Sequence, residues 1–428
     1  MANTSRPAAI ARLLIIGFLV ATLLPSAASA DAKPGVTPIV LFPAYHLTRL
    51  RVDVHNQTVA PKCDPSGTFE YWFQNPHPST QFDQKCQDQF LTLRYAADSD
   101  RPMAQRFSNQ RGVSVTIPDY GKTQSAPDYD PMFQALEKAG YVRNHSIRVA
   151  GYDARLTPDI GDFLARSKKL IEDTYADNGN RPVHVVGHSN GPLYIQYLLT
   201  HTSREWRDKF IHGFTPIAGN FPGQGSLYSI LFTGLNIIDF SLPSVADQAK
   251  TSATLYLTNP STYMSAADPE IFGRNEVVLQ NSTTGKKYTP ADYRQLLADA
   301  GLQRLRPIAD YYIGFVEFDD PAHFPYVDVY AEKGSNIPTQ IGAVLPNLTI
   351  GQVIDPNTQL ILAPGDINQE DPTNLAVGVW HSMKCFHFSL TDNPNVNHFE
   401  LPGNPNVLTR LVSNAARERS DCSAEGDD

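Results

Sequence analysis

The segment at 183–199 restricts the fold of this chain more than any other. An apolar run at 183–186 leads directly into 187–191, which reads G-H-S-N-G, and residues 192–199 are apolar on nearly every side. The G-x-S-x-G pattern requires a strand that turns sharply into a helix, because its glycines permit a cramped turn that lifts the serine off the sheet. We therefore predict that Ser189 is a nucleophile at a helix N-terminus, which favours the negative charge of acyl transfer.

Other segments alternate between strand and helix patterns. Residues 37–43 and 359–363 are short apolar runs typical of buried strands, and 157–178 carries apolar residues at helical spacing. A further helix is predicted at 406–416. Strands that alternate with helices in this way form a mostly parallel sheet, so the sequence predicts an α/β fold.

A serine hydroxyl needs a histidine to remove its proton and a carboxylate to orient that histidine. On an α/β fold with this turn, the order along the chain is Ser, then Asp or Glu, then His. His398 lies in a polar loop ahead of the predicted helix at 406–416 and is the predicted base. His381 and His387 flank a cysteine in an apolar, strand-like run that a structural histidine can occupy.

Two aspartates compete for the role of the orienting acid. Asp366 follows the strand at 359–363 after a Pro-Gly turn, and Asp371 comes five residues later. The pattern of residues alone leaves both open.

The N-terminus resembles an export signal. Arg6 and Arg12 precede an apolar run at 13–24, and small residues continue to Ala30. The apolar run is shorter than the ~20 residues that span a bilayer, so we predict a signal peptide at 1–30, cleaved after Ala30. The predicted location is therefore outside the cell or in the lumen of the secretory or lysosomal pathway.

Net charge limits the partners. Lys and Arg number 35 against 44 Asp and Glu, a charge of −9, which becomes −11 when the two arginines of 1–30 are removed. This balance argues against a nucleic-acid partner and against electrostatic recruitment to an anionic membrane. Contact with a lipid surface would have to be hydrophobic.

The cysteines and sequons fit an exported chain. The cysteines Cys63, Cys86, Cys385 and Cys422 are even in number, which predicts two disulfides among three possible pairings. The short spacing favours Cys63–Cys86 together with Cys385–Cys422. Four N-x-[ST] sequons begin at Asn56, Asn144, Asn281 and Asn347, and N-glycosylation is predicted there for a chain exported through a eukaryotic secretory pathway.

Two stretches interrupt the alternation of strands and helices. Residues 63–86 are rich in aromatic side chains, and 225–245 is too apolar for an ordinary loop. Each is either covered core or an exposed functional surface. No metal or organic cofactor is expected, because acyl transfer through a serine needs none. His184 and His188 lie across a strand and a turn and not on a helical H-E-x-x-H, which argues against a zinc site.

Several motifs in one order resemble the lecithin:cholesterol acyltransferase and lysosomal phospholipase A2 family, from about residue 38 to 412. The strand and loop at 38–47 resemble the family's opening strand and oxyanion loop, and 63–86 its cysteine-closed aromatic subdomain. Residues 117–123, 151–155, 206–211 and 217–223 resemble its P-G-F-G-K-T, P-Y-D-W-R, W-K-D-K-Y-I and L-G-A-P-W-G-G segments. The family's G-D-G-T-V motif favours Asp366 as the acid and keeps Asp371 as the alternative.

The resemblance implies an α/β-hydrolase domain at 31–416 and a C-terminal tail at 417–428. Within the domain it implies a membrane-binding subdomain at 63–86, with Tyr71, Trp72 and Phe73 at the lipid surface, and a lid at 222–250. It also implies an oxyanion hole formed by the backbone N–H groups of Tyr45 and Asn190.

The predicted function follows from these features. The chain is expected to be a secreted serine lipolytic acyltransferase or phospholipase, which passes an acyl chain from a phospholipid through Ser189 to water or a lipid alcohol. Its expected partners are phospholipid and a membrane or lipoprotein surface. The alternatives are an esterase or neutral-lipid lipase, and a lipid-binding carrier with weakened catalysis.

Overall fold

The computed structural model describes residues 35–235, 241–272 and 274–422. The predicted signal peptide at 1–30 lies outside these ranges, as do 236–240 of the predicted lid and 423–428 of the predicted tail. None of the helices in the described ranges combines the length and hydropathy that a bilayer-spanning helix needs.

Fifteen β-strands lie within the described residues. They are β1 Ile39–Phe42, β2 Leu50–Val54, β3 Gly67–Tyr71, β4 Arg94–Tyr95, β5 Phe107–Ser108, β6 Val113–Thr116, β7 Ile147–Val149, β8 Val183–His188, β9 Ile211–Ile217, β10 Leu279–Asn281, β11 Lys287–Tyr288, β12 Val329–Ser335, β13 Ile337–Leu345, β14 Leu360–Gly365 and β15 Phe388–Pro394. They form sheets of six, four, three and two strands.

Thirteen α-helices lie within the same ranges. They are α1 Gln84–Leu91, α2 Asp130–Lys138, α3 Phe163–Asp177, α4 Gly191–Thr200, α5 Arg204–Phe210, α6 Ser226–Thr233, α7 Ala246–Thr258, α8 Pro260–Met264, α9 Pro269–Phe272, α10 Tyr293–Asp299, α11 Arg306–Tyr312, α12 Asp371–Leu375 and α13 Pro405–Ala415. Short 3-10 helices lie at Met103–Gln105, Thr123–Ser125, Pro127–Tyr129, Pro290–Asp292, Gln303–Leu305, Pro321–His323, Ala376–Ser382 and Leu401–Gly403.

The main sheet has the strand order β15-β12-β9-β8-β1-β7, and every pair in it is parallel. Its central strands are buried on both faces: Ile39 and Leu41 join one hydrophobic cluster, whereas Val40 and Phe42 join another. Parallel sheets need such cover on both sides, which explains the continuous apolar runs in the sequence. The predicted α/β-hydrolase fold is confirmed.

The strand predicted at 359–363 lies elsewhere. β14 pairs with β13 in an antiparallel way within a second sheet, of order β11-β10-β13-β14, instead of adding an interior strand to the main sheet. Leu362 on β14 is 56% exposed. An apolar run of this length does not by itself distinguish a buried strand from an edge strand.

The cysteine-closed segment 63–86 contributes β3 to the small sheet β3-β2-β6 and contains the start of α1, and the disulfide Cys63–Cys86 closes it. Its three predicted lipid-facing rings are buried, with exposures of 2% for Tyr71, 6% for Trp72 and 5% for Phe73. The Phe73 N–H donates to the His46 carbonyl at 2.9 Å and thus draws the end of the segment against the body of the protein. The expectation of an exposed aromatic patch was wrong for this structure.

The predicted lid region begins with a covered helix. All eight residues of α6 are buried, and α7 packs against both α6 and α1. A helix that is apolar on every side needs cover in water, and α7 supplies part of it. The lid at 222–250 stays a prediction, and its first helix is core in this structure.

The second predicted disulfide pair, Cys385–Cys422, is also present. Part of the predicted tail docks on the body: the Ser420 N–H donates to Asp328 Oδ2 at 2.9 Å, and His212 Nε2 lies 3.0 Å from the Arg417 carbonyl. Among the sequons, Asn56 and Asn347 are exposed, whereas Asn281 is buried. Glycosylation stays a prediction at all four.

Candidate active site

Loops at the carboxyl edge of the main sheet converge on one place. Ser189 follows β8, Tyr45 follows β1, Asn220 follows β9 and His398 follows β15. Because parallel strands end at the same edge, four side chains that are distant in sequence come together there. The sequence predicts site roles for Ser189, Tyr45 and His398, whereas Asn220 lies in 217–223, a segment noted only for its resemblance to the family.

Ser189 sits at a strained turn. Its φ is +58°, a region that residues with a Cβ rarely adopt. The Ser189 N–H donates to the Ile217 carbonyl at 2.9 Å, and the Asn220 N–H donates to the Ser189 carbonyl at 2.9 Å. The turn is therefore held on both sides by the end of β9.

The pattern glycines are needed for packing. A Cβ on Gly191 would lie 2.2 Å from the Phe42 carbonyl oxygen, and one on Gly187 would lie 2.7 Å from the Pro192 nitrogen. α4 therefore starts directly against the end of β1, which brings Ser189 next to the loop that follows β1.

His398 pairs with Asp366. Asp366 Oδ2 lies 2.9 Å from His398 Nδ1, and both residues are buried. Asp366 Oδ1 accepts the N–H groups of Asn368 at 3.0 Å and Gln369 at 2.7 Å. A carboxylate can only accept, so Nδ1 of the histidine carries the hydrogen and Nε2 presents a lone pair.

The competing residues lie elsewhere. Asp371 begins α12, and His381 is exposed in a 3-10 helix where its Nδ1 lies 2.7 Å from the Gly378 carbonyl. The His387 ring packs on Tyr330, with ring centroids 5.0 Å apart. The structure thus brings Asp366, and none of these three, to the imidazole of His398.

A cavity of about 270 Å³ opens over Ser189. Its polar lining includes Ser189, Asn190, Asn220, Gln224, Ser226, Ser265, Gln340, Asn368 and His398. Its apolar lining includes Ala44, Tyr45, Leu47, Phe73, Leu227, Ile230, Leu235, Tyr256, Ile367 and Phe399. A concave site with apolar walls and a few convergent polar groups suits an apolar ligand with one reactive polar centre.

Within the described residues, His398 Nε2 is buried without a hydrogen-bond partner. It shares the cavity with Ser189, which is 6% exposed. Hydrogen bonds of a base in a site without substrate are often unformed and tighten with substrate.

Two backbone N–H groups are available at the same cavity. Neither the Tyr45 N–H nor the Asn190 N–H donates a hydrogen bond within the described part of the chain. Tyr45 and Asn190 both line the cavity, and the Asn190 side chain is held by Ser265 Oγ at 2.7 Å. Unpaired N–H groups beside a serine can receive a developing oxyanion.

A buried carboxyl lies behind the acid. Glu370 Oε1 accepts the Gly225 N–H at 2.7 Å, just before α6. Burial raises the pKa of Glu370 from 4.5 to about 8, with smaller contributions from Glu276 and Asp366. In the sequence, Glu370 lies between the two candidate acids Asp366 and Asp371 and carries no signal of its own. Among the described residues, no group of three or more His, Cys, Asp or Glu is placed to hold a metal ion.

The chain is similar to known proteins over part of its length. Residues 102–289 match the family described as "Lecithin:cholesterol acyltransferase". Mouse phosphatidylcholine-sterol acyltransferase is 31% identical over 45% of this chain and 45% of its own length. Mouse lysosomal phospholipase A and acyltransferase is 26% identical over 70% of this chain and 72% of its own length.

The chain is similar to the lecithin:cholesterol acyltransferase family over residues 102–289, just under half of its length. The resemblance predicted from the sequence is therefore confirmed. The chain spans about half the length of the first of these relatives. The family match includes Ser189 and ends before Asp366 and His398.

One solved structure has a similar backbone fold. It is titled "The crystal structure of Tle4-Tli4 complex" and superposes with a TM-score of 0.54, covering 89% of this chain and 98% of that one. The identity is 12%, so this likeness concerns the fold alone.

Proposed function

We propose that this chain, which is similar to the lecithin:cholesterol acyltransferase family, is a serine lipolytic enzyme that transfers an acyl chain from a phospholipid to water or a lipid alcohol. The observation that carries the proposal is the buried Asp366–His398 pair, whose free Nε2 opens on the cavity that contains Ser189. The names of the two mouse relatives support the acyl-transfer class.

In the proposed first half-reaction, Ser189 Oγ attacks the ester carbonyl carbon while His398 Nε2 takes the hydroxyl proton. The carbonyl oxygen becomes an oxyanion that accepts the N–H groups of Tyr45 and Asn190. His398 then returns the proton to the departing alcohol oxygen, which leaves as the lysophospholipid. The product on the protein is an acyl ester of Ser189.

In the second half-reaction, His398 Nε2 removes a proton from water or from the hydroxyl of a lipid alcohol. That oxygen attacks the acyl ester, and Ser189 recovers its proton from His398. The outcome is a free fatty acid or a new ester. Asp366 keeps the imidazole in the required tautomer throughout and stabilises its charged form.

Export is part of the proposal. Two disulfides are typical of chains that fold in an oxidising compartment, and a signal peptide at 1–30 agrees with this location. The apolar walls of the cavity, with Ile367 and Phe399 exposed at 47% and 39%, favour a lipid substrate presented at a surface.

A fluorophosphonate probe tests the class of protein. Wild type should be labelled, and Ser189→Ala should not be. Absence of labelling in a folded wild type would contradict the proposal and favour a carrier.

Lipid profiling after incubation with mixed liposomes then tests the substrate. Loss of diacyl phospholipid with gain of lysophospholipid is expected. Hydrolysis confined to neutral esters would assign the chain to the neutral-lipid lipases instead.

A further inference from the structure

His188, the residue before the proposed nucleophile, is fully engaged inside the protein. It is 1% exposed, and its Nε2 lies 3.0 Å from the backbone carbonyl oxygen of His398. Its Nδ1 lies 2.8 Å from the hydroxyl of Tyr129, which is also buried. The proposed proton transfers make no use of either contact.

The direction of these hydrogen bonds follows from their partners. A carbonyl oxygen only accepts, so His188 Nε2 carries the hydrogen. Burial lowers the pKa of His188 well below 6.5 and raises that of Tyr129 well above 10, so the imidazole is neutral and the phenol keeps its proton. His188 Nδ1 therefore accepts from the Tyr129 hydroxyl.

The chain of hydrogen bonds continues beyond Tyr129. Its hydroxyl oxygen accepts the Ala44 backbone N–H at 2.8 Å. One continuous series thus runs from the Ala44 N–H through Tyr129 and His188 to the His398 carbonyl. The sequence separation is 85 residues between Ala44 and Tyr129, 59 between Tyr129 and His188, and 210 between His188 and His398.

Each end of the series controls a group of the proposed mechanism. The Tyr45 N–H belongs to the peptide group of the Ala44 carbonyl, and that carbonyl accepts the Leu47 N–H at 3.0 Å. At the other end, the His398 N–H donates to the Asp366 carbonyl at 2.8 Å. The backbone N–H and the backbone carbonyl are both hydrogen-bonded in Ala44, and the same is true of His398. The backbone at each end of the series therefore has little freedom to rotate.

We propose that Tyr129 and His188 are positioning residues that fix the distance between the oxyanion-binding Tyr45 N–H and the base His398. The inference rests on the proposed function, because it assigns these two ends their roles. The series acts on the transition state, in which oxyanion and imidazolium are present together, so it contributes to kcat rather than to substrate binding.

Three variants divide the series into two arms. Tyr129→Phe removes only the hydroxyl. His188→Asn keeps an acceptor near the position of Nδ1 and loses the donor to His398, whereas His188→Gln keeps a donor near Nε2 and loses the acceptor for Tyr129. The variants should be compared with wild type for kcat, KM and inhibition by an alkyl boronic acid, which forms a tetrahedral adduct with serine. Fluorophosphonate titration gives the concentration of active sites.

Tyr129→Phe and His188→Gln should lower kcat for a soluble ester by about tenfold to a hundredfold and weaken boronate inhibition by a similar factor, while KM changes less than about twofold. His188→Asn should keep boronate inhibition closer to that of wild type but slow fluorophosphonate labelling, which needs His398. Equal losses in all three variants that follow their losses of Tm would overturn the inference, and so would wild-type kinetics in all three.

A second measurement does not depend on turnover. NMR of protein labelled with ¹⁵N-histidine should show His188 in the neutral tautomer with hydrogen on Nε2 from pH 5 to 8. Tyr129→Phe should shift the His188 Nδ1 resonance. A hydrogen on Nδ1 would overturn the series even in an active enzyme, whereas an inactive wild type with the expected tautomer would contradict the proposed function and the roles of the two ends.

Discussion

Asp366 holds His398 through two separate hydrogen bonds. Its carboxylate accepts the imidazole Nδ1–H at 2.9 Å, and its backbone carbonyl accepts the His398 N–H at 2.8 Å. The Asp366 side chain thus selects the tautomer of the His398 imidazole, while the Asp366 backbone fixes the position of the His398 backbone that carries the ring. This double contact separates Asp366 from Asp371, which the sequence could not do alone.

Asp366→Asn should lower kcat for a soluble ester by about three to four orders of magnitude, because an amide favours the wrong imidazole tautomer. Asp371→Asn is the matched control and should stay near wild-type kcat. Steady-state kinetics corrected for active-site concentration measures both. The opposite ranking would transfer the acid role to Asp371.

Gly191→Ala should abolish fluorophosphonate labelling and lower the Tm, since the added methyl would lie 2.2 Å from the Phe42 carbonyl oxygen. Gly378→Ala is the control, because its Cβ would meet nothing within 4 Å. Thermal unfolding and labelling rate give the two readouts. Normal labelling of Gly191→Ala would mean that the turn tolerates a wider spacing from β1.

Trp72→Ser should destabilise the protein by about 3–5 kcal/mol and lower soluble-ester and liposome activity together, because the ring is buried. Leu375→Ser, at a side chain 51% exposed, should leave the free energy of unfolding nearly unchanged. Denaturant unfolding measures both. A stable Trp72→Ser protein that loses only liposome binding would restore the lipid-facing role of this ring.

Glu370 should make stability fall with rising pH. Its pKa is about 8 in the folded protein against 4.5 without burial, so the folded state retains a proton that the unfolded state has lost. Its contribution to stability is therefore complete below pH 4.5 and is lost as pH rises to about 8.

Glu370→Gln removes this titration while keeping an acceptor for the Gly225 N–H. The Tm difference, variant minus wild type, should rise from pH 5 to 8 and then level off. Glu418→Gln, at an exposed carboxyl, should show a constant difference. Parallel curves for wild type and Glu370→Gln would show that Glu370 ionises normally.

Local sequence patterns predicted the elements around Ser189 because a strand, a tight turn and a buried helix each need characteristic residues within a few positions. The same reasoning predicted His398 as the base from chain order, and it predicted both disulfides from spacing, which the structure confirms. It failed where burial depends on distant cover: the run with Trp72 is equally suited to a lipid surface and to a core. The contact of Tyr129 with His188 had no local signal.

The position of β14, the strand that leads to Asp366, has a consequence for protein engineering. Asp366 directly follows β14, which among the described strands pairs with β13 alone, and β13 follows β12 of the main sheet after the single residue Asn336. A chimera of two relatives whose crossover point lies within the β13–β14 hairpin would take Asp366 and β14 from one parent and β13 from the other. The register between β13 and β14 would then no longer be set by strands of one parent. Exchange of specificity between family members therefore calls for blocks that carry 337–366 whole.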